Sequence, residues 1–323
     1  MTVTGRRAAL CVAPAALLAA RAARGQDLPR QVRVVVGFAP GGANDIMARL
    51  LTGRLNERVA GTGFIVENRP GAATLVAAEL VARSPADGAT LMYTSNSTLI
   101  APLVNRSATF DPVRDLAPVI MAQQAPTMLL TRPDHPVRTV AQVIEAAKAR
   151  PGRLTVSHPG TGGINHLAMA LFMRETGTDF TLVPYTGNAP SLTALARGDV
   201  DFAHDGPLAA RSFIDSGQLR PIAVTGARRL PILPEVPTFA ETLPGHVVMF
   251  WGSIFAPRAT PAPVLDRLHA EIAAVLRLPD VVERIRALGG EPAGGPREAL
   301  AREIAEEYAR WGAVVREAGI RTE

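Results

Sequence analysis

The chain has 323 residues, 47% of them hydrophobic and 20% charged, with one cysteine and a formal net charge of +5. That length suits two α/β lobes of ordinary size, and the sequence has no repeats, low-complexity tracts or coiled-coil heptads. Arg6, Arg7, Arg21 and Arg24 carry four of the five net positive charges, so the remainder is near neutral and the electrostatic case for nucleic-acid binding falls away.

The N-terminus reads as an export signal. Arg6-Arg7 forms a positive n-region, Ala8 to Ala20 a mostly apolar stretch, and small residues then offer cleavage near Gly25. The stretch is shorter than the roughly 20 apolar residues of a membrane span, and Pro14 interrupts it. Thr4 to Leu10 also resembles a twin-arginine signal, so the Sec and twin-arginine routes both stay open. Cys11 lies inside this segment, and an exported chain without disulfides suits the periplasm.

From Val32 onward, short β-branched runs alternate with amphipathic helical patterns. Strands are predicted at 32–36, 64–67, 91–94, 155–157, 181–184, 200–203 and 222–225, and helices at 45–58, 75–82, 140–149, 164–175, 190–197 and 208–216. Such alternation argues for parallel sheets with right-handed crossovers. Thr139 with Gln142 reads as a capping box, and Thr260-Pro261 as an N-cap with a first-turn proline. A last helix from Pro296 sets Leu300, Ile304, Tyr308, Trp311 and Val315 on one face, to dock on the core. Thr131 to Pro136 reads as a linker out of the first lobe and Thr225 to Pro237 as a way back. The strand-like Phe250 to Phe255 then rejoins the first sheet. The expected division is 1–25 signal, 26–131 first part of lobe 1, 132–225 lobe 2 and 226–323 the return to lobe 1. A lobe that is left and re-entered implies two hinge strands and a cleft, where small-molecule sites prefer to lie.

Two glycine-rich strand-to-helix turns dominate the pattern. The first runs Val34-Val35-Val36-Gly37-Phe38-Ala39-Pro40-Gly41-Gly42-Ala43-Asn44-Asp45, the second Leu154-Thr155-Val156-Ser157-His158-Pro159-Gly160-Thr161-Gly162-Gly163. Each sets free backbone N–H groups at the positive end of a helix, which holds an anion without a charged side chain. Asp45 is expected to cap its helix, since a carboxylate aimed into an anion site would repel its guest. The first turn fits neither a G-x-G-x-x-G fingerprint, because the spacing fails, nor a P-loop, because no Gly-Lys-Ser/Thr follows. Ser157 and Thr161 add hydroxyls, and His166 can donate to an anion or simply pack and cap. Asn188 is a natural N-cap in the turn Tyr185 to Pro190. His204 beside Asp205 makes a poor catalytic dyad, because neighbours on a strand face opposite ways. Tyr93 to Ser97 offers polar groups at a strand end, where open α/β sheets bind ligands. There is no H-E-x-x-H, no G-x-S-x-G elbow, no cysteine nucleophile and no metal-ligand spacing, which favours a binder over an enzyme and implies no cofactor and no metal.

Several of these motifs carry a family resemblance. Val34–Asp45, Val66-Glu67-Asn68-Arg69-Pro70-Gly71-Ala72, Ser84-Pro85-Ala86-Asp87-Gly88 and Val183 to Pro190 resemble the Bug-type periplasmic receptors of tripartite tricarboxylate transporters, as do Ala223-Val224-Thr225, Pro234 to Thr238 and Phe255-Ala256-Pro257. The resemblance implies a type II periplasmic-binding-protein fold, with two α/β lobes, two crossover strands and a ligand trapped between the lobes. It implies a ligand carboxylate held, partly through ordered water, between Phe38, Ala39, Gly41, Gly42, Ala43 and Asn44 on one side and Ser157, Gly160, Thr161, Gly162, Gly163 and His166 on the other. Ser95, Asn96, Ala189 and Asp205 would read the rest of the ligand. Ala43 and Asn44 stand where the family has Gly then Thr or Ser, and Gly163-Ile164 where it has Thr-Ser. The expected partners are a small organic carboxylate and integral membrane transporter subunits, with the receptor itself a monomer. A carboxylate sensor with a signalling partner and an exported enzyme on an anionic substrate are the alternatives.

Overall fold

The computed structural model describes residues 28–105 and 107–321; the expected signal segment, with Cys11 and the Gly25 cleavage point, lies outside the described residues. Two mixed sheets organise the chain. The first takes β1 (Gln31–Val36), β2 (Gly63–Asn68), β3 (Thr90–Ser95), β4 (Leu116–Pro126), β10 (Met249–Pro257) and β11 (Glu291–Gly294), in the order β11-β4-β10-β3-β1-β2. The second takes β5 (Met128–Thr131), β6 (Thr155–His158), β7 (Thr181–Pro184), β8 (Phe202–Asp205) and β9 (Arg220–Val224), in the order β7-β6-β8-β5-β9. The β1–β2, β1–β3, β6–β7 and β6–β8 pairs are parallel, while β10 and β5 run antiparallel to their neighbours. This is the expected two-lobe α/β architecture.

Helices cover both faces of each sheet, as parallel pairs require. On the first, α1 (Ala43–Arg58), α9 (Ala262–Val275) and α10 (Pro279–Ala287) close one apolar core, with Leu51, Leu55, Leu268, Ile272 and Ile285 buried. The short α4 (Pro112–Asp115) leads into β4. The opposite face carries α2 (Leu75–Ala82), α3 (Ser97–Val104) and the first half of α11 (Arg297–Glu317), with Leu300 and Ile304 buried beside Trp251. In the second lobe, α5 (Val140–Ala149) and α6 (Ile164–Thr176) cover one face, α7 (Asn188–Arg197) and α8 (Pro207–Asp215) the other.

The chain changes sheet at Thr127, ahead of the expected boundary at Thr131, because β5 already belongs to the second sheet. The return crossing begins at Thr225, where the two crossings meet. Thr225 N donates to Thr127 O at 2.8 Å and Thr127 N to Thr225 Oγ1 at 2.8 Å, while Thr225 Oγ1 also reaches Val248 O at 2.6 Å. Residues between Thr225 and Val248 stay with the second lobe: Thr238 bridges to Val224 and Phe239 sits in its core.

Local expectations are corrected in three places. Thr260 does not cap α9; Pro261 is the N-cap and the buried Thr260 hydroxyl has no partner. Asn188 is the first residue of α7, with Gly187 as N-cap. Thr139 Oγ1 does accept from Gln142 N, but Gln142 reaches back to Arg138 N and not to the cap residue.

Candidate functional site

The β1–α1 turn is braced from behind. Gly42 is the N-cap and offers no side chain to the helix. Asp45 Oδ2 accepts from Gly41 N at 2.9 Å, and the same carboxylate takes Arg49 Nε at 3.0 Å and Asn68 Nδ2 at 2.8 Å. Those donors hold it down at about 2, the Arg49 hydrogen bond being the largest cause and burial opposing it. Asn68 Nδ2 also donates to Phe38 O at 3.1 Å, clipping the turn to the end of β2. The first intrahelical bond of α1 runs from Ile46 N to Gly42 O, so the amides of Ala43, Asn44 and Asp45 stand at the positive end of the helix.

The β6–α6 loop repeats the design with a different brace. Gly162 has φ +76°, a left-handed conformation that favours glycine. Its N–H donates to His166 Nδ1 at 3.0 Å. An imidazole that accepts at Nδ1 is neutral and carries its proton on Nε2. Burial, with His158 adding a smaller push, lowers His166 to about 4. The two rings stack with centroids 4.4 Å apart. Through Nδ1, His166 therefore caps the loop from within.

Between the two turns lies a cavity of about 280 Å³. Lobe 1 contributes Gly37 and Phe38 from the first turn, Gly71, Ala73 and Thr74 from the β2–α2 connection, and Ser97, Ala101 and Val104 from α3. Lobe 2 contributes Pro159 to Gly163. Every one of these segments follows the C-terminal end of a strand, where open sheets gather ligands. Gly37 permits the close approach of two of them: a Cβ there would lie 2.9 Å from Thr74 Cβ. Ala72, Ala73 and Thr74 have φ of +44°, +51° and +84°, a run of left-handed residues on the cleft wall. The Thr74 hydroxyl is tied to Thr98 Oγ1 at 2.9 Å.

Of the expected residues, Phe38, Gly160, Thr161, Gly162 and Gly163 line this cavity. Ala39, Gly41, Gly42, Ala43 and Asn44 follow Phe38 in the turn, the first four exposed and Asn44 buried with Oδ1 unpartnered. Others lie outside that lining. The Ser157 hydroxyl donates to Ser191 O beneath α7, and Ser95 Oγ donates to Ser97 Oγ. Asn96 faces the interior: its Oδ1 takes Trp251 N at 2.9 Å and its Nδ2 donates to the buried Glu307 at 3.1 Å. Ala189 is exposed in the first turn of α7. Asp205 is buried, with Oδ1 accepting from Asn188 Nδ2 at 2.5 Å and Gly206 N at 2.7 Å and Oδ2 unpartnered. Burial raises its carboxyl to about 6. His204 beside it is fully buried and lowered to about 3, by burial first and then by His246 and His158.

Gly71, Ala73 and Thr74, with Ala101 and Val104, line the cavity without having been singled out as site residues in the sequence, whereas Ser97 belongs to the expected polar strand end Tyr93 to Ser97. Gly71 and Ala72 end a motif of the family resemblance, but nothing in Ala-Ala-Thr announces a left-handed turn. Among the described residues no group of three or more His, Cys, Asp or Glu is positioned to hold a metal ion, and no helix is long and apolar enough to cross a membrane.

Comparison with known proteins follows the same line. The model of the tripartite tricarboxylate transporter family receptor matches residues 47–320. Protein BugT of Bordetella pertussis is 33% identical over 293 residues, covering 90% of each chain. The structure of Rpa4515 of R. palustris with adipate is 37% identical, with a TM-score of 0.77 over 91% of this chain and 99% of that one. MatC (Rpa3494) from Rhodopseudomonas palustris with bound malate is 32% identical, with a TM-score of 0.73 over 89% and 100%.

Proposed function

The chain belongs to the receptor family of tripartite tricarboxylate transporters, and on that premise we propose that it captures a small organic carboxylate in the interlobe cleft and delivers it to the membrane subunits of such a transporter. Export to the periplasm with removal of residues 1–25, and action as a monomer, complete the reading.

One observation carries it: the cleft is walled from both lobes by glycine-rich turns at strand ends, with no charged side chain among the lining residues. An anion there is held by amides and helix ends, whose partial charges suit a carboxylate. Adipate and malate, bound by the two solved relatives, are both dicarboxylates, and a cavity of about 280 Å³ suits that size. The hydroxyls of Thr74, Ser97 and Thr161 have no general base beside them on the cavity wall, which supports a receptor over an enzyme. The clamp is then Phe38 to Asn44 against Gly160 to Gly163, with Gly71 to Thr74 as a third wall. His166 acts behind its loop, and Ser95, Asn96, Ser157, Ala189 and Asp205 shape the surroundings. Closure follows if the ligand binds the closed lobes more tightly than the open ones.

The test is a thermal-shift screen of residues 26–323, unfolded and refolded to strip carried-over ligand, against mono-, di- and tricarboxylates with sugars as controls. A ligand at about a hundred times its Kd adds about 2.7 kcal/mol, several degrees for this size. Gly160 has open space around its Cβ position and Gly42 only an ordinary contact, 3.6 Å from Ala39 O, so Gly160→Leu and Gly42→Leu should fold and abolish the shift. A panel with no responding acid, or unchanged affinity in both variants, would sink the reading.

A further inference from the structure

A second cavity, about 490 Å³, lies along α6 and the end of α11. Lobe 2 walls it with Ala170, Met173, Phe180 and Leu182, and lobe 1 with Val314 and Ile320 at the end of α11. These apolar surfaces enclose two polar ends. At one end is His166, 8% exposed, whose Nδ1 is taken by Gly162 N. Its Nε2–H is thus a fixed donor. At the other end Arg174 lies 3.2 Å from Glu317, both side chains about half exposed. An ion pair so exposed adds little stability, so Arg174 is free to exchange Glu317 for an incoming carboxylate. His166 and Arg174 are eight residues apart on one helix, about 12 Å along its axis.

We propose that this cavity is a second ligand site, taking an elongated carboxylate with a flat apolar body and a hydrogen-bond acceptor at its far end, of the hydroxyaryl-acid type. The carboxylate meets Arg174, the body lies on Met173, Phe180 and Val314, and the distal oxygen accepts from His166 Nε2. A ligand there touches both lobes and the residue that braces the cleft loop, so its binding and that of the cleft ligand are coupled, each by the same factor. No residue lines both cavities, so this site can fill while the cleft is empty, whatever the cleft itself takes.

Calorimetric titration of the refolded chain with 4-hydroxycinnamate tests the assignment. Saturable one-site binding is expected, persisting in Gly160→Leu, where the cleft is filled. Arg174→Ala and Ala318→Trp alter exposed residues on the rim, leave the fold intact by circular dichroism, and should each weaken binding about tenfold or more. Cinnamate, without the distal hydroxyl, and 4-hydroxycinnamyl alcohol, without the carboxylate, should bind more weakly than the probe. Absence of saturable binding overturns the proposal. So does binding lost in Gly160→Leu but untouched by Ala318→Trp, which puts the probe in the cleft and leaves the receptor reading standing.

Discussion

Asp205 shows how a polar residue at a strand end can serve the fold. One carboxylate oxygen is tied to Asn188 and Gly206 and the other has no partner, inside a site that raises the group to about 6 from 3.8. Between those values the folded chain keeps a proton that the unfolded chain has released. Stability is therefore fullest below about 4 and falls as pH rises through 6. Asp205→Asn keeps an acceptor for both donors and removes the ionisation. At pH 8 it should be more stable than the parent by about 2–3 kcal/mol, and near equal at pH 4. Urea unfolding at the two pH values checks this, and a gap that ignores pH would mean that Asp205 does not titrate in this window. His166 teaches the companion lesson. A histidine in the first turn of a helix can be written down as donor or cap, and here the Gly162 amide takes Nδ1 for the cap while Nε2–H is left as a donor.

Among the elements, the β2–α2 connection stores the clearest strain, in the left-handed Ala72, Ala73 and Thr74. A non-glycine residue in that region costs about 1–2 kcal/mol, partly offset by the extra unfolded-state freedom glycine brings. Ala73→Gly should therefore gain about 0.5–1 kcal/mol in denaturant unfolding; a loss would mean that the Ala73 methyl makes contacts worth more than the strain. Helices α2 and α5 and strand β7 were legible to the residue, and in α5 the buried Val140, Val143 and Ala147 fall at helical spacing. The strand expected at 200–203 starts at Phe202, since Asp201 turns its carboxylate to Thr155 N and Oγ1. Strands β4 and β5 escaped prediction. Pro118, Gln123, Gln124 and Pro126 break any alternation in β4, which is buried on both faces and bulged against β10. At the site, glycine turns mark themselves in sequence, whereas Asn96 and Ser157 look available until Trp251, Glu307 and Ser191 claim their polar atoms.

At the scale of the molecule, α6 belongs to both lobes. Its Met169 and Phe172 sit in the second lobe's core. Its Ile164, Leu167, Ala168 and Leu171 join Ile100 and Val104 of α3 and Trp311, Val314 and Val315 of α11 in one apolar cluster. Any lobe movement must slide or part that surface, so the loop at the head of α6 cannot move independently of lobe 1. Leu167, 0% exposed, is the natural probe. Leu167→Ala should cost about 2–5 kcal/mol in equilibrium unfolding, and a loss under about 1 kcal/mol would show that the cluster does not bind the lobes together. The strand order carries a consequence of another kind. Strand β10 lies between β4 and β3, yet it enters the chain only after the whole of the second lobe. A nascent chain that stops short of Met249 holds β3-β1-β2 as one piece and β4 as a lone strand, with both of its partners, β10 and β11, still to come. The second lobe has all its strands by Val224. The order of synthesis thus leaves β10 to join β4 to β3 across the whole of the second lobe, and β11 to finish the sheet.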